Sequence, residues 1–269
     1  MTVESAATPA VQFAIADGVA TVTINKPETM NALDLAVKEG LLASLRQVAD
    51  DAAVRCVVLT GAGERAFCAG QDLKEHAALL EKEGFTLSST VTEHYNPIVE
   101  LLATMNKPVI AALNGVAAGA GASFALAADL RIAADTASIN FAFAGIGLSC
   151  DSGASWALPR LVGPSRAKEL LLLPRTIRSA EALSLGLVTE VVPAADLASR
   201  VAEVAGTLAQ GPTLAYGSIR RAVAHSSGHD LSDSLAHEAE LMALTGASED
   251  HRAAVASFLA KERPTFNGR

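Results

Sequence analysis

Val11–Ile15 and Val19–Ile24 are strand-like, mostly apolar runs, with Asp17-Gly18 between them as a hairpin signal. The chain is therefore expected to open on two antiparallel strands, the second closed by Lys26-Pro27-Glu28. From about Asp34 to Asp50 the period lengthens, and Leu35, Val37, Leu41, Leu42, Leu45 and Val48 form one face of a helix. Val54–Thr60 is nearly continuous in apolar residues, the pattern of a strand covered on both faces. Residues 74–88 are polar with weak periodicity and are expected to be mobile. A helix near Thr90–Met105 precedes Lys107-Pro108, where the next core strand begins. A short helix should follow Gly119 and run to about Ala128, with short strands at Leu130–Ala134 and Ser138–Phe141. Gly163-Pro164 opens a helix ending near Leu173, and Ser179 is placed to cap another that Gly186 ends, before a strand at Val188–Val192. Beyond about Asp196 the pattern is helical throughout. The expectation is an α/β chain with a core over residues 1–195 and a helical region over 196–269 that covers the core, packs on another subunit, or both. The strand-strand-helix order recurs without a strict residue repeat.

At 269 residues the chain is long enough for one large domain, or a domain with an appendage. Half the residues are apolar but only 4% are aromatic, so small side chains must bring backbones close together. A formal charge of -8 argues against a nucleic-acid or anionic-membrane surface, and a phosphorylated ligand would need local basic residues. Pro108 to Ala128 carries no charge and mimics a membrane span, but Asn114-Gly115, Gly119 and Gly121 break it into strand, loop and helix. The first ten residues hold neither a basic stretch nor an apolar core, so no signal peptide is expected. Cys56, Cys68 and Cys150 lack paired spacing and read as reduced thiols of a cytoplasmic protein. Trp156, the single tryptophan, is expected in the core.

Two glycine loops carry the candidate chemistry. Phe67-Cys68-Ala69-Gly70-Gln71-Asp72-Leu73 and Asn114-Gly115-Val116-Ala117-Ala118-Gly119-Ala120-Gly121-Ala122 each follow an apolar strand and offer bare backbone to a ligand. The second opens a helix, whose first amides are unpaired and whose dipole favours negative charge. Two such amides aimed into one cavity make an oxyanion hole for a thioester oxygen. Neither Gly61-Ala62-Gly63 nor Gly119-Ala120-Gly121 completes a dinucleotide fingerprint, because Ala66 and Phe124 stand at the sixth positions. Asp151 lies among apolar neighbours and reads in two ways, as a proton carrier with a raised pKa or as a turn residue capping the next helix. His225 and His229 have helical spacing but no acidic third ligand nearby, so solvent-facing histidines are expected and no metal site. Lys26, Lys261 and Arg263 are basic residues beside prolines or aromatics, suited to phosphates or to plain solvation.

Taken together these pieces resemble the crotonase (enoyl-CoA hydratase/isomerase) superfamily over nearly the whole chain. The resemblance rests on Ile24–Leu33, the two glycine loops, Leu158–Gly163, Ala182–Val192 and the final Phe258–Pro264. It implies a spiral of ββα units with a C-terminal helical region that builds trimers, often paired into hexamers. It also implies an oxyanion hole from the N–H groups of Gln71 and Ala120, with CoA along Lys26, Ala69, Gly70, Asp72, Leu73 and Gly121. Phe258 and Lys261 would complete the nucleotide pocket across a subunit boundary, and CoA would enter only as part of the substrate, with no separate cofactor. The two glutamates that handle water in the family's hydratases fall on Ser123 and Phe143, so both carboxylates are missing. Asp151 stands where several relatives keep a working aspartate. Within the superfamily the chain is most similar to the group that isomerises ring-1,2-epoxyphenylacetyl-CoA, with which it shares both loops and Tyr95-Asn96-Pro97. An isomerase working through a thioester enolate is the expected activity. The alternatives are a broad-range hydratase and a non-catalytic acyl-CoA- or RNA-binding homologue, the last disfavoured by the acidic charge.

Overall fold

The structure, a computed structural model, describes residues 9–84 and 86–269. The export-signal reading of the N-terminus falls almost wholly outside them. Val11–Ala16 (β1) and Val19–Ile24 (β2) form the expected antiparallel hairpin, and Asp17 and Gly18 take the positive φ values (50° and 77°) of a tight turn matched to strand twist. Leu35–Asp50 (α1) follows, N-capped by Asp34, whose carboxylate accepts from the Val37 amide at 3.0 Å.

Three strand pairs then repeat one device. They are Cys56–Gly61 (β3) with Ala66–Cys68 (β4), Val109–Leu113 (β5) with Val116–Ala118 (β6), and Leu130–Ala134 (β7) with Ser138–Asn140 (β8). The first strand of each pair joins a large sheet and the second a small one. With Ile177–Arg178 (β9) and Glu190–Val192 (β10), the large sheet runs β1-β2-β3-β5-β7-β10 and the small sheet β4-β6-β8-β9. Every pairing is parallel except β1 with β2 and β8 with β9. All five residues of β5 are buried, which explains its unbroken apolar run.

The helices between the strands complete the ββα spiral. Leu73–Leu80 (α2), Leu87–Thr90 (α3) and Asn96–Thr104 (α4) follow β4, with a π-helical turn at Val91–Tyr95 joining α3 to α4. Ala120–Ala127 (α5) follows β6, and Ala154–Leu172 (α6) follows β8 with a break at Gly163 (φ 77°, ψ 157°) where Pro164 restarts the helix. Ser179–Ser184 (α7) precedes β10. From Leu197 onward every element is helical: Leu197–Ala209 (α8), Thr213–Ser226 (α9), Leu231–Gly246 (α10) and Glu249–Ala260 (α11). Helix α8 lies across β2, β3, β5 and β7, whereas α9, α10 and α11 pack mainly in sequence order.

Four expectations change. Residues 74–88 are not a plain mobile stretch, because α2 covers their first part. It is short, eight residues, and none of them is buried. The glycine loops begin as strands, β4 and β6, each too short to show a two-residue period. Ser179 does not cap α7; its hydroxyl donates to the Asp135 carbonyl at 2.7 Å. Trp156 is 48% exposed on α6, with the Arg160 guanidinium 4.2 Å above its ring. That cation–π contact accounts for an indole at the surface. Cys56 and Cys68 are buried as expected, and burial pushes both thiols up to about 12, which keeps them protonated and inert.

Candidate active site

The Phe67–Leu73 loop is zipped to the segment after β2. Ala69 N donates to Met30 O (3.1 Å), Leu33 N to Gly70 O (2.8 Å) and Asp72 N to Leu33 O (3.3 Å). Asp72 then caps α2, its Oδ1 accepting from the amides of Lys74 (2.9 Å) and Glu75 (3.0 Å). These bonds occupy the neighbours of Gln71 and leave its own N–H with no acceptor among the described residues. On the second loop Gly119 has φ 51° and ψ -124°, a conformation closed to residues with a Cβ, and this sharp corner starts α5 at Ala120. The Ala120 N–H, first of the helix, also has no acceptor among the described residues.

The two loops touch. A Cβ on Gly70 would stand 2.8 Å from Ala118 O and 3.5 Å from Ala120 N, so the backbone just before Gln71 lies against the Ala120 amide. Gly121 is pressed against Cys68, where a Cβ would come within 2.3 Å of the Cys68 carbonyl oxygen. Small residues here set the distance between the two unpaired amides.

Asp151 stands on the loop before α6. Its carboxylate does not cap that helix: the N-cap is Gly153, with no side-chain cap bond, and Asp151 Oδ1 instead accepts from the Ser152 hydroxyl at 2.8 Å. Of the two sequence readings, the capping role is thereby removed. Burial holds the Asp151 carboxyl above its ordinary range, opposed in part by the Ser152 hydrogen bond. Tyr95, only 2% exposed, ties the site together. Its hydroxyl donates to Gln71 Oε1, its ring meets Phe124 of α5 edge-on at 5.9 Å, and the Asp151 charge is one cause of its raised pKa. Gln71 and α5 therefore meet on one buried phenol, whose pKa is raised first by burial and then by the Asp151 charge.

The raised Asp151 pKa has a direct kinetic signature. A carboxylate acting as base works only above its pKa, so if Asp151 is the base, the acidic limb of kcat/KM is expected above the ordinary aspartate range. Ser152→Ala removes a hydrogen bond that favours the charged form, and should move that limb to still higher pH. A pH–rate profile of the two proteins checks both shifts.

Ser123 and Phe143 are buried at 1% and 7% exposure, and the Ser123 hydroxyl donates back to Gly119 O at 3.2 Å. No carboxylate stands at either position. Lys26 forms an ion pair with Asp34, which raises the Lys26 pKa through that hydrogen bond. Leu73 is exposed at the start of α2. Phe258 is 81% exposed on α11, and Lys261 follows as that helix's left-handed C-cap (φ 59°). Among the described residues no ion pair joins Lys261 to the Gln71 loop, and Lys26 pairs with Asp34 instead.

Sequence reading missed the groups beneath Gln71. Its Nε2 lies 3.4 Å from Glu75 Oε1, which also receives Lys38 Nζ at 2.7 Å, while Glu75 Oε2 accepts the Leu35 amide at 2.6 Å. A signal was available: Lys38 falls within the apolar stripe of α1 beside Val37 and Leu41, and a lysine buried there requires a carboxylate partner. Asn140 was also missed. Its carbonyl accepts the Gly119 amide at 3.0 Å, and its Oδ1 is buried without a partner among the described residues.

A separate cavity of about 1180 Å³ lies between α8 and the large sheet, lined largely by Ala14, Ala112, Ala134, Ala198, Ala202 and Ala205. Its charged lining residues, Asp17 and Glu64, are acidic, which suits neither a thioester oxyanion nor the phosphates of CoA. Among the described residues no group of three or more His, Cys, Asp or Glu side chains is placed to hold a metal, and no helix is long and apolar enough to cross a membrane. His225 and His229 stack at 3.7 Å, parallel rather than converging.

Comparison with known proteins matches this geometry. A family model described as enoyl-CoA hydratase/isomerase covers residues 14–269. The chain is 42% identical to a "Probable enoyl-CoA hydratase" of Rhodobacter capsulatus, over 96% of this chain and 98% of the relative. It is 41% identical to the 1,2-epoxyphenylacetyl-CoA isomerase of Escherichia coli, over 94% of this chain and 96% of the relative. The crystal structure of an enoyl-CoA hydratase from Bacillus anthracis superposes with a TM-score of 0.89 at 33% identity, over 97% of this chain and 100% of that one. With touching glycine loops, two unpaired amides and a ββα spiral already in place, this chain belongs to the enoyl-CoA hydratase/isomerase family of the crotonase superfamily.

Proposed function

We propose that the protein is an acyl-CoA isomerase that moves a proton through a thioester enolate. Asp151 takes a proton α or γ to the thioester carbonyl, and the amides of Gln71 and Ala120 hold the oxygen as negative charge develops on it. The same carboxyl returns the proton at the other end of the conjugated system, so no atom is gained or lost. In well-studied oxyanion holes each donor is worth roughly 2.7–4 kcal/mol. The observation that carries the reading is the pairing of one buried carboxyl of raised pKa, Asp151, with two positions, Ser123 and Phe143, that offer no second acid or base. Adding water across a double bond needs both a base for the water and an acid for the carbon, whereas shifting a double bond needs a single group.

Hydratase is the second reading, favoured by the name of the Rhodobacter capsulatus relative. Isomerase is favoured by the name of the Escherichia coli relative, for which the reaction would be the rearrangement of a ring epoxide of phenylacetyl-CoA. The two identities are too close to decide. A panel of enoyl-, dienoyl- and arylacetyl-CoA esters followed by mass spectrometry separates them. Isomerisation leaves mass unchanged and in heavy water introduces deuterium at the α or γ carbon; hydration adds 18 mass units. Crotonyl-CoA hydration is expected to be poor, and efficient hydration would overturn the isomerase reading.

CoA is proposed to lie along Lys26 and the Ala69–Leu73 loop, with Phe258 and Lys261 of a neighbouring copy closing over the nucleotide. Two features support this placement: Phe258 and Lys261 are exposed, and the final helices also expose Ile219, Val223, Leu231, Leu235, Met242 and Leu259. A trimer or a dimer of trimers would cover these side chains.

A further inference from the structure

We propose that Tyr95 is a positioning residue that sets the strength of the oxyanion hole through the Gln71 side chain. The inference rests on the proposed use of the Gln71 and Ala120 amides and adds a residue to that site. The Gln71 side chain is held at both ends. Tyr95 Oη donates to Oε1, and Nε2 faces Glu75 Oε1 at 3.4 Å. Glu75 is itself fixed by Lys38 Nζ (2.7 Å) and by the Leu35 amide (2.6 Å), both on the rigid first turns of α1. A side chain bonded at both ends is held in one rotamer, and it braces a backbone already tied on both sides through Gly70 O and Asp72 N.

The grip from Tyr95 depends on unusual backbone. Val91–Tyr95 is a π-helical turn between two α-helical segments, and Tyr95 is its last residue. One extra residue in the turn rotates everything after it relative to a regular helix, which re-aims Tyr95 toward Gln71 and Phe124. The phenol cannot leave for solvent, since it is 2% exposed. Burial, and then the charges of Asp151, Cys68 and Glu75, push its pKa up, so the hydroxyl keeps the proton it donates to Gln71. The phenol thus spans the two halves of the site, donating to the oxyanion loop while lying within the field of the base.

Two conservative variants isolate the contact. Tyr95→Phe keeps the ring against Phe124 and removes only the hydroxyl; Gln71→Met keeps the peptide N–H and removes only the amide side chain. Binding of crotonyl-CoA carrying a ¹³C thioester carbonyl is read by the carbonyl stretching frequency, which falls as hydrogen bonds to the oxygen strengthen. The wild-type protein should lower that frequency, and each variant should lose part of the shift. In turnover of whichever ester the wild type accepts, each should lower kcat by about 10-fold or more with KM little changed, as expected for a weakened transition-state donor. The double variant should be no worse than the poorer single one, because both remove the same contact. A wild-type carbonyl shift in either single variant, or multiplicative losses in the double, would overturn the proposal. If Tyr95→Phe lowers the melting temperature, Gln71→Met reads the same contact from its exposed end. The carbonyl shift does not need turnover, and both isomerisation and hydration use the oxyanion hole. Failure of the isomerase reading would therefore show as added water in the products, and failure of the Tyr95 inference as an unchanged carbonyl frequency.

Discussion

Asp151→Asn should lower kcat by about 10²–10⁴-fold, the usual worth of a positioned general acid–base, while leaving acyl-CoA affinity close to that of the wild type. The substitution preserves shape and can still accept the Ser152 hydroxyl, so what is lost is the ability to exchange a proton. A sign check on stability separates this from misfolding. Burial raises the Asp151 pKa, so the folded state holds this proton more tightly than the unfolded chain does. Its contribution to stability is present in acid and is lost as pH rises through the raised value. At neutral pH the ionised carboxylate therefore works against folding, and the neutral amide removes that penalty. The Asn variant should melt no lower than the wild type at pH 7 and convert substrate far more slowly. Full turnover would remove Asp151 from the mechanism; a lowered melting temperature would mean that the carboxylate supports the fold. Deuterium incorporation from heavy water, followed together with calorimetry, measures both.

The second large effect is expected at Gly121, where adding one methyl group should damage fold and chemistry together. A Cβ there would meet Cys68 O at 2.3 Å and Cys68 Cβ and Sγ at 2.7 Å. Two of these atoms belong to the short stem of a fully buried residue and the third to strand backbone, so none can swing aside. Helix α5 must move off β4. Overpacking of this kind costs typically 1–3 kcal/mol. Because Ala120, the preceding residue, carries one unpaired amide, the same shift pulls that donor away from its partner on Gln71. Gly121→Ala should therefore lower the melting temperature by several degrees and reduce kcat beyond what the lost folded population explains. A control at Gly145, where a Cβ meets nothing within 4 Å, should leave the fold intact. Equal melting temperatures for the Gly121 variant and the wild type would contradict the packing.

Legibility in the sequence followed the size of the local signal. Helix α1 and strands β2, β3 and β5 are long enough, and buried on consistent enough faces, for their apolar period to stand out. Helix α2 has eight residues against sixteen in α1, too few turns for its period to stand out from the polar stretch around it. Strands β4, β6 and β9 have three, three and two residues, below the length at which alternation can register. Trp156 was misplaced because hydrophobicity alone sends an indole inward, while an arginine one turn along α6 keeps this one at the surface.

The site divides in the same way. Gly70, Gly119 and Gly121 are visible in the chain because only glycine meets their backbone demands, and Asp151 is visible as a charge stranded among apolar residues. Residue types gave the two loops and the stranded acid, and the resemblance that those motifs carry implied the superfamily and the loss of carboxylates at 123 and 143. Folding in three dimensions decided the rest. It brought Gly70 against Ala120, denied Asp151 a helix-capping role, and gathered Tyr95, Gln71, Glu75 and Lys38 into one chain of hydrogen bonds. Two of its three links join residues 24 and 37 positions apart, Tyr95 to Gln71 and Lys38 to Glu75. Hydrogen bonds act across about 3 Å of space whatever the separation along the chain, so a pattern confined to neighbouring residues cannot encode them.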